Sequence, residues 1–419
     1  MEQARKVEIE IEYEGRNVTT PINKYLEQFS YTDVASGESD RIDIIMHDID
    51  KKWMDAWMPN KGDRLSGSFV FYSWDIEGEN SNLYCGEFEV DDMSFSGRPL
   101  SCEIGAVSIP RNEPFNAQKR TKTWESITIK QIAQEIAGRA NISLYYESEE
   151  ISVEIIEQTE QTDCQFLYSL CSNYGLAVKV YANKIIIFDE EIYEKRKSVR
   201  TIDEKDMTKW NYKSTVAGTY TGANLSFVDP NDEEEYLLTI GGGNRILEIN
   251  ENTDNIKDAE RKGIAKLNNE NKKAVTMEIT MKTDAKILAG TCVDVKGLGS
   301  KIDGKYYVDK VTTKKSGSST CQSTLNTHRV IPRIKTVSMG AVELAEESGM
   351  NAGMPYTVVS GDTLWRIAKT FYGKGAGYED IYKANKDIIE GTAKERGKTD
   401  SSNGHWLFPG TTLTIPAKE

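Results

Sequence analysis

Short runs in which apolar and charged residues alternate recur in the first part of the chain, and they constrain its fold more than any other feature. Between Val7 and Tyr13, every second residue is apolar, and Glu8, Glu10 and Glu12 lie between them. Because successive side chains of a strand point to opposite faces, this pattern predicts a strand with one buried face. Similar patterns predict further strands at Arg41–Met46, Ser68–Trp74, Leu83–Val90 and Leu100–Ile104. We assign residues 1–110 to a first β-barrel domain.

Helical periodicity replaces this alternation in residues 111–192, which we assign to an α+β insertion domain. Two T-x-x-Q sequences, Thr128–Gln131 and Thr162–Gln165, predict helix starts. In such a capping box, the threonine and glutamine side chains satisfy amide groups that the first helical turn leaves unpaired. Apolar residues at helical spacing follow both boxes. Ala177–Tyr181 and Lys184–Phe188 then predict a hairpin.

A second group of strands is predicted in residues 193–330, which we assign to a second β-barrel domain. The candidate strands are Trp210–Tyr220, Glu235–Ile240, Ala274–Met281, Thr291–Val295, Lys305–Thr313 and Thr320–Thr327. One predicted helix, Asp254–Asn269, interrupts them. Residues 331–354 lose both patterns and are assigned as a linker. The expected fold class is therefore a β-rich, multidomain α+β protein, in which two small β-barrel domains flank the insertion.

The last part of the chain, residues 355–419, predicts a small module with two strands and two helices. Tyr356–Val359 is a short β-type run, and Asp362 or Thr363 is placed to cap the helix that follows. The predicted inner faces of the helices are Leu364, Ile367, Ala368 and Phe371 in the first and Ile381, Ala384 and Ile388 in the second. Pro409-Gly410 predicts a turn before a closing strand.

This module resembles the LysM family in the runs Tyr356–Tyr372 and Leu407–Pro416. LysM modules are βααβ domains that bind N-acetylglucosamine-containing glycans, such as peptidoglycan or chitin, between the loop before the first helix and the loop before the last strand. The resemblance implies the following glycan-contacting residues: Gly361, Asp362, Thr363, Leu364, Phe408, Pro409 and Gly410. Docking on a neighbouring protein is the alternative role of this surface. Glycan stacking at His405 and Trp406, after a polar stretch longer than in a minimal LysM module, also stays open.

The preceding 330 residues resemble the phage late control protein D family. The resemblance is carried by the runs TWESITIKQIAQEIAGRANISLYYE, TEQTDCQFLYSLCSNYGLAVKVYANKIIIFDE and AGTCVDVKGLGSKIDGKYYVDKVTTK. Members of this family are baseplate hubs of contractile tails. The resemblance implies a homotrimer whose barrels form a ring with six positions, which joins the hexameric tail tube to the trimeric spike. The implied partners are the tail tube protein, the spike protein, other baseplate proteins and, through the LysM module, peptidoglycan.

Composition and charge exclude several other classes of protein. The net charge of −14 argues against direct recognition of nucleic acid, which needs clustered Lys and Arg. No apolar run approaches the roughly twenty residues that span a membrane, and the first residues lack the apolar segment of a signal peptide. We therefore expect assembly in the host cytoplasm, as part of a virion tail or a released phage-tail-like particle. The six cysteines, none in a C-x-x-C pair, are expected to be buried free thiols.

A peptidoglycan hydrolase targeted by its LysM module is the alternative function. Such an enzyme needs a Cys-His pair, a zinc site or a glutamate in a lysozyme-like domain. The chain has three histidines, His47, His328 and His405. His47 has only Asp48 beside it, and His328 has no carboxylate nearby in the sequence. We predict no catalytic residues, no metal site and no cofactor.

Overall fold

The chain divides into two units, residues 1–339 and residues 340–419, and the boundary falls inside the predicted linker. A computed structural model describes residues 5–108, 113–181, 184–216, 219–228, 235–251, 253, 255–317, 321–341, 355–359, 362–372 and 374–416. No helix in these ranges is long and apolar enough to cross a membrane.

The two units are built from strands and helices with the following bounds. The strands are β1 Lys6–Tyr13, β2 Arg16–Asn17, β3 Leu26–Val34, β4 Arg41–His47, β5 Arg64–Tyr72, β6 Asn80–Ser96, β7 Ser101–Val107, β8 Lys119–Thr128, β9 Ser143–Glu147, β10 Ser152–Thr162, β11 Leu176–Tyr181, β12 Lys184–Asp189, β13 Arg200–Asp203, β14 Met207–Ser214, β15 Gly222–Val228, β16 Glu235–Gly241, β17 Ile246–Ile249, β18 Val275–Lys282, β19 Cys292–Lys296, β20 Gly304–Ser316, β21 Gln322–Arg329, β22 Val337–Ala341, β23 Pro355–Thr357 and β24 Thr412–Thr414. The α-helices are α1 Thr19–Asn23, α2 Ile129–Ala140, α3 Asp163–Asn173, α4 Glu190–Lys195, α5 Ile256–Lys272, α6 Leu364–Tyr372 and α7 Tyr378–Glu395.

The alternation predicted for the first strand is confirmed in β1. Ile9 and Ile11 are buried, and the glutamates between them lie on the other face. β1 pairs antiparallel with β5, and the sheet continues through β6, β7, β4 and β3. Its core includes Phe29 and Phe69. Residue 67 must be glycine because the Phe29 ring lies 2.5 Å from the place that a Cβ atom would take.

Strand β20 joins these N-terminal strands to strands from the second half of the chain. It pairs antiparallel with β3, from Lys310 opposite Val34 to Ser316 opposite Gln28. On its other edge β20 pairs with β21, and the sheet continues to β18 and β14. The prediction of a β-rich fold with several sheets is confirmed. Pairing among the described residues closes neither strand group into a barrel, so the two predicted barrels are not confirmed.

A smaller sheet, in the order β17-β15-β16-β22, packs against α5. This helix lies close to its predicted range and begins where the Asn255 side chain accepts a hydrogen bond from the Asp258 amide at 2.9 Å. Ala259 and Leu267 of α5 share a core with Leu225 of β15. Strand β22 lies within the stretch that we predicted as a linker. The sequence did not indicate this strand, because its segment lacks the alternation of apolar and polar residues that marks the other strands.

The segment predicted as an α+β insertion contains α2 and α3, the pair β8-β10 and the sheet β11-β12-β9. Both predicted capping boxes are confirmed. The hydroxyls of Thr128 and Thr162 accept hydrogen bonds from the amides of Gln131 and Gln165, each at 3.2 Å. The glutamine side chains accept from the threonine amides in return. The predicted hairpin strands also pair, as β11 and β12.

A buried lysine attaches this segment to the main sheet. Lys179 of β11 lies between Asp33 and Asp40, with its Nζ 3.2 Å from an Asp40 oxygen and in contact with Asp33 as well. Burial raises the pKa of Asp40 to about 6, although the charge of Lys179 acts in the opposite direction. The Val178 amide adds a hydrogen bond to the Ser36 hydroxyl at 2.9 Å. The two parts of the first unit are therefore joined by specific polar contacts.

The second unit contains β23, α6, α7 and β24, and its two strands pair antiparallel. Leu364, Ile367 and Ala368 are buried as predicted, and Phe371 packs against them. The predicted inner face of α7 is wrong after Ile381. Ala384 is exposed and Ile388 is 48% exposed, whereas the buried positions are Asn385, Ile389 and Ala393.

Asn385 explains this difference, because a polar residue occupies a core position of the helix. Its φ of −122° interrupts the regular helical geometry of α7. The side-chain nitrogen donates to the carbonyls of Ile381 at 2.8 Å and Thr414 at 2.7 Å, and the side-chain oxygen accepts from the Thr414 amide at 2.7 Å. The side-chain nitrogen and oxygen of Asn385 thus both have hydrogen-bond partners, so burial of this polar side chain is tolerated.

Replacing Lys179 by alanine is expected to lower the free energy of unfolding by about 3–5 kcal/mol, because two buried carboxylates lose their counter-charge. Urea denaturation followed by tryptophan fluorescence measures this change. Lys310→Ala is the control, since the side chains of the Lys310–Glu38 pair are 34% and 66% exposed and the loss of this pair should change the value by less than about 1 kcal/mol. Equally small losses in both variants would contradict the buried-pair interpretation.

Candidate functional site

The first loop of the predicted glycan groove is shaped by the Asp362 carboxylate. One of its oxygens accepts hydrogen bonds from the Tyr356 hydroxyl at 2.6 Å and from the Val359 amide at 2.9 Å. Burial and the bond to Asp362 raise the pKa of Tyr356 to about 12. Thr363 caps α6, because its hydroxyl accepts from the Arg366 amide at 3.1 Å. Of the two predicted capping residues, Thr363 is thus the cap, and Asp362 holds the loop.

The second loop contains the turn predicted at Pro409-Gly410. The Thr411 amide donates to the Phe408 carbonyl at 3.2 Å, and Gly410 has a φ of 90°. A positive φ at the third residue is the geometry of a type II turn, which favours glycine there and proline before it. The turn therefore depends on both residues of the Pro-Gly pair.

Main-chain hydrogen bonds place the two loops side by side. Val358 donates to the Thr411 carbonyl and accepts from the Gly410 amide, both at 2.8 Å. Thr363, Pro409 and Gly410 are exposed along this junction, whereas Leu364 is 3% exposed and belongs to the core. Gly361 lies outside the described residues. The fold thus brings the predicted groove residues together, and their contact with glycan remains a prediction.

The polar stretch before the second loop is held by Glu390. Its carboxylate accepts hydrogen bonds from the Ser401 hydroxyl at 2.5 Å, the Ser401 amide at 2.9 Å and the Tyr382 hydroxyl at 2.6 Å. The bonds from Ser401, followed by the one from Tyr382, lower the pKa of Glu390 to about 2. A carboxylate that is ionised at neutral pH therefore anchors this loop.

Rings and cations gather at the surface beyond this anchor. The His405 and Trp406 rings meet edge to face with centroids 5.2 Å apart, and Trp406 is 40% exposed. Lys398 Nζ lies 3.8 Å from the centroid of the Trp406 ring. The Arg396 guanidinium lies 5.9 Å from the centroid of the Phe408 ring. The two residues predicted as a stacking site thus adjoin the second groove loop.

His328 occupies a different setting from the one that the sequence suggested. Its Nδ1 lies 2.8 Å from an Asp309 oxygen, and its Nε2 lies 3.3 Å from a Glu194 oxygen. The prediction that His328 has no carboxylate nearby is wrong, because the fold brings Asp309 and Glu194, which are distant in the sequence, to its ring. The ring is 4% exposed and both of its nitrogens have partners. This histidine therefore has a structural role, because neither nitrogen is available to a substrate.

Further buried charges surround His328. Arg333 lies 3.0 Å from the Glu194 carboxylate, and Lys272 contacts Glu190. Burial opposes ionisation of Glu194, but the bonds from His328 and Arg333 prevail and lower its pKa. Burial likewise opposes the charge of His328, yet the neighbouring carboxylates raise its pKa.

Lys272 responds in the opposite way to its surroundings. Burial and the charge of Arg333 lower the pKa of Lys272 to about 7, although its contact with Glu190 favours the charged form. We call the set His328, Asp309, Glu194, Arg333, Lys272 and Glu190 the His328 cluster.

The other candidate chemical groups are not assembled into a site. The His47 ring lies 3.1 Å from the Lys24 carbonyl, whereas the Asp48 carboxylate accepts from the amides of Trp53 and Met54. All six cysteines are buried and free, which confirms the prediction for them. Across the described residues, no group of three or more His, Cys, Asp or Glu side chains could hold a metal ion.

Comparison with known proteins gives matches in both units. Residues 356–390 match the LysM domain family model. The chain is 25% identical over 226 residues to the probable baseplate hub protein of Escherichia phage P2, which covers 52% of this chain and 56% of that protein. The chain resembles phage baseplate hub proteins and carries a LysM domain. Both resemblances seen in the sequence are thereby confirmed. The chain spans about half the length of the curated relatives it matches.

Two solved structures of tail proteins share the fold. The 43 kDa tail protein of prophage MuSo2 from Shewanella oneidensis matches with a TM-score of 0.55 and 14% identity, over 77% of this chain and 97% of that one. The tail protein from Neisseria meningitidis MC58 matches with a TM-score of 0.58 and 11% identity, over 77% of this chain and 96% of that one.

The LysM match contains the loop at Asp362 and ends before the loop at Pro409.

The change His328→Gln should remove a pH-dependent part of the stability. A histidine with a raised folded pKa contributes fully below its ordinary value of about 6.5, and the contribution is lost as the pH rises through the folded value. The difference in unfolding free energy between the native chain and the variant should therefore be largest near pH 6 and decline at higher pH.

Urea titrations from pH 5 to pH 9 measure this difference. Glu194 contributes with the opposite sign, because its lowered pKa adds stability that is lost as the pH falls. The variant also loses the bond by which His328 lowers the pKa of Glu194, but that change affects the stability at low pH, so a decline of the difference above about pH 6.5 reports the histidine. His405→Gln, at an exposed position, is the control. A difference that does not vary with pH would refute the prediction.

Proposed function

We propose that this chain is a structural baseplate hub subunit of a contractile phage tail or a phage-tail-like particle. The observation that carries the proposal is the match to the phage P2 baseplate hub protein over half of the chain. The shared fold with two tail proteins is consistent with it. In this role the chain is assembled in the host cytoplasm and joins the hexameric tail tube to the trimeric spike. The relatives are named as baseplate hub and tail proteins, so they lend no support to the hydrolase alternative.

The proposed assembly is a homotrimer, and the edge of the main sheet supports it. β14 ends the sheet and, in the described part of the chain, pairs with β18 alone. Most of its residues are exposed, and Trp210 is 40% exposed. An uncovered edge strand with an exposed aromatic ring favours contact with another chain. The strand groups on either side of β20 then supply the two barrel positions that each subunit contributes to the ring.

We further propose that the second unit binds peptidoglycan between the loops at Thr363 and Pro409. The LysM match supports this role, and so does the pairing of Val358 with the second loop, which places both loops at one surface. Pro409 and Gly410 are exposed at this surface and so are accessible to a glycan. Leu364 supports the first loop from the core, and Asp362 fixes the shape of that loop through its hydrogen bonds to Tyr356 and Val359. Docking on a neighbouring baseplate protein is the competing role of the same surface.

The full chain, co-expressed with the tube and spike proteins of its particle, is expected to form a trimer in complex with them. Trp210→Asp should weaken assembly at least about tenfold, since a charge buried in the contact costs 1.4 kcal/mol or more. Mass photometry over a concentration series measures the effect. Ile76→Asp, at a loop residue that is 58% exposed, is the matched control. A stable monomer that joins neither protein would contradict the proposal.

The full chain should also sediment with purified peptidoglycan. Pro409→Trp should lower the bound fraction about tenfold or more, because the indole ring obstructs the second loop and the turn loses its proline; a tenfold loss needs only about 1.4 kcal/mol. Thermal unfolding verifies that the second unit of the variant stays folded. Lys383→Trp places the same ring on an exposed position of α7 outside both loops and should bind normally. Failure of the native chain to sediment would leave docking as the better account of this surface.

A further inference from the structure

The second unit differs from the rest of the chain in charge. Residues 355–419 carry nine Lys and Arg against eight Asp and Glu, whereas the whole chain has a net charge of −14. Lys394, Arg396 and Lys398 fall close together at the end of α7, and all three are exposed. Three carboxylates, Glu390, Glu395 and Asp400, lie in the same stretch, so attraction of an anion depends on how the cations are held and not on the net charge.

Two of these cations rest on exposed or half-buried rings. Lys398 lies over Trp406 at 3.8 Å, and Arg396 lies over Phe408 at 5.9 Å. Neither cation has a salt bridge to any residue that the structure describes. A cation on an aromatic face is held in place by roughly 0.5–1 kcal/mol while its remaining donors face solvent. These rings therefore position the charges without neutralising them.

The carboxylates of the loop are engaged in holding its shape. Glu390 accepts hydrogen bonds from Ser401 and Tyr382, and Asp400 accepts from the Ser402 amide at 2.9 Å. Glu395, the remaining carboxylate of the segment, is exposed beside Arg396. Glu390 and Asp400 keep their negative charges, but in the described part of the chain neither forms a salt bridge with Arg396 or Lys398, so both exposed cations can contact a ligand.

We propose that the cation–ring surface, defined as Arg396, Lys398, His405, Trp406 and Phe408, makes the second unit selective for anionic glycan. Its ligands are the carboxylates of peptidoglycan, and it discriminates against neutral N-acetylglucosamine polymers such as chitin. This inference rests on the proposed binding of peptidoglycan at the LysM loops. Phe408 belongs both to this surface and to the second loop, so a glycan between the loops reaches the cations directly. The exposed face of Trp406 provides an apolar surface for a sugar ring.

The test compares two insoluble probes, purified peptidoglycan and chitin, with the full chain. In the double variant Arg396→Gln/Lys398→Gln, affinity for peptidoglycan should fall between about threefold and thirtyfold, the range expected for two partly exposed charge pairs. Affinity for chitin should change less than about twofold. The loss should largely vanish in 0.5 M salt, where the screening length is about 4 Å. The conservative variant Arg396→Lys/Lys398→Arg should retain the preference.

Lys374→Gln/Lys383→Gln removes the same net charge from exposed positions outside the loop and serves as the matched control. Equal losses on both probes, or no loss on peptidoglycan, would overturn the inference while native binding still supports the proposed function. Release of the bound chain by single-stranded DNA at equal charge would also overturn it, since it would show general polyanion binding. A native chain that binds neither probe would remove the proposed function itself. Thermal unfolding of each variant verifies that the second unit stays folded.

Discussion

The pairing of β20 with β3 is the contact on which the organisation of the first unit depends. Residues 310–316 lie opposite residues 28–34, and the Thr32 and Thr312 hydroxyls meet at 3.3 Å across the pair. Because β20 also pairs with β21, one ladder of main-chain hydrogen bonds runs through both strand groups. Their relative position is therefore set by backbone geometry. Such a connection leaves no flexible joint between the two strand groups.

Buried charges supplement this connection at two places in the first unit. Lys179 ties β11 to Asp33 and Asp40, and the His328 cluster ties α4 to β20 and β21 through Glu194. Buried ion pairs add little net stability relative to apolar residues, but losing one partner is costly. They therefore act mainly by excluding other arrangements of the segments that they join. This agrees with the structural role that we propose for the chain.

The second unit separates its core from the surface proposed for glycan binding. Leu364, Ile381 and Leu413 are buried and hold the helices to the strands, whereas the loops present main chain, rings and cations. Asp362 and Glu390 use their charges within loops, so these carboxylates shape the surface without occupying it. The residues of the proposed binding surface thus differ from those that form the core.

The sequence by itself determined the features that depend on near neighbours in the chain. These are the alternation in β1, the capping boxes at Thr128 and Thr162, the turn at Pro409-Gly410 and the two family resemblances. Only the tertiary structure decided the pairing of β20 with β3, the carboxylates around His328 and the burial of Asn385. Local spacing encodes the first group. The second group depends on which distant backbone edges and polar groups packing brings together, and a linear pattern does not contain that information.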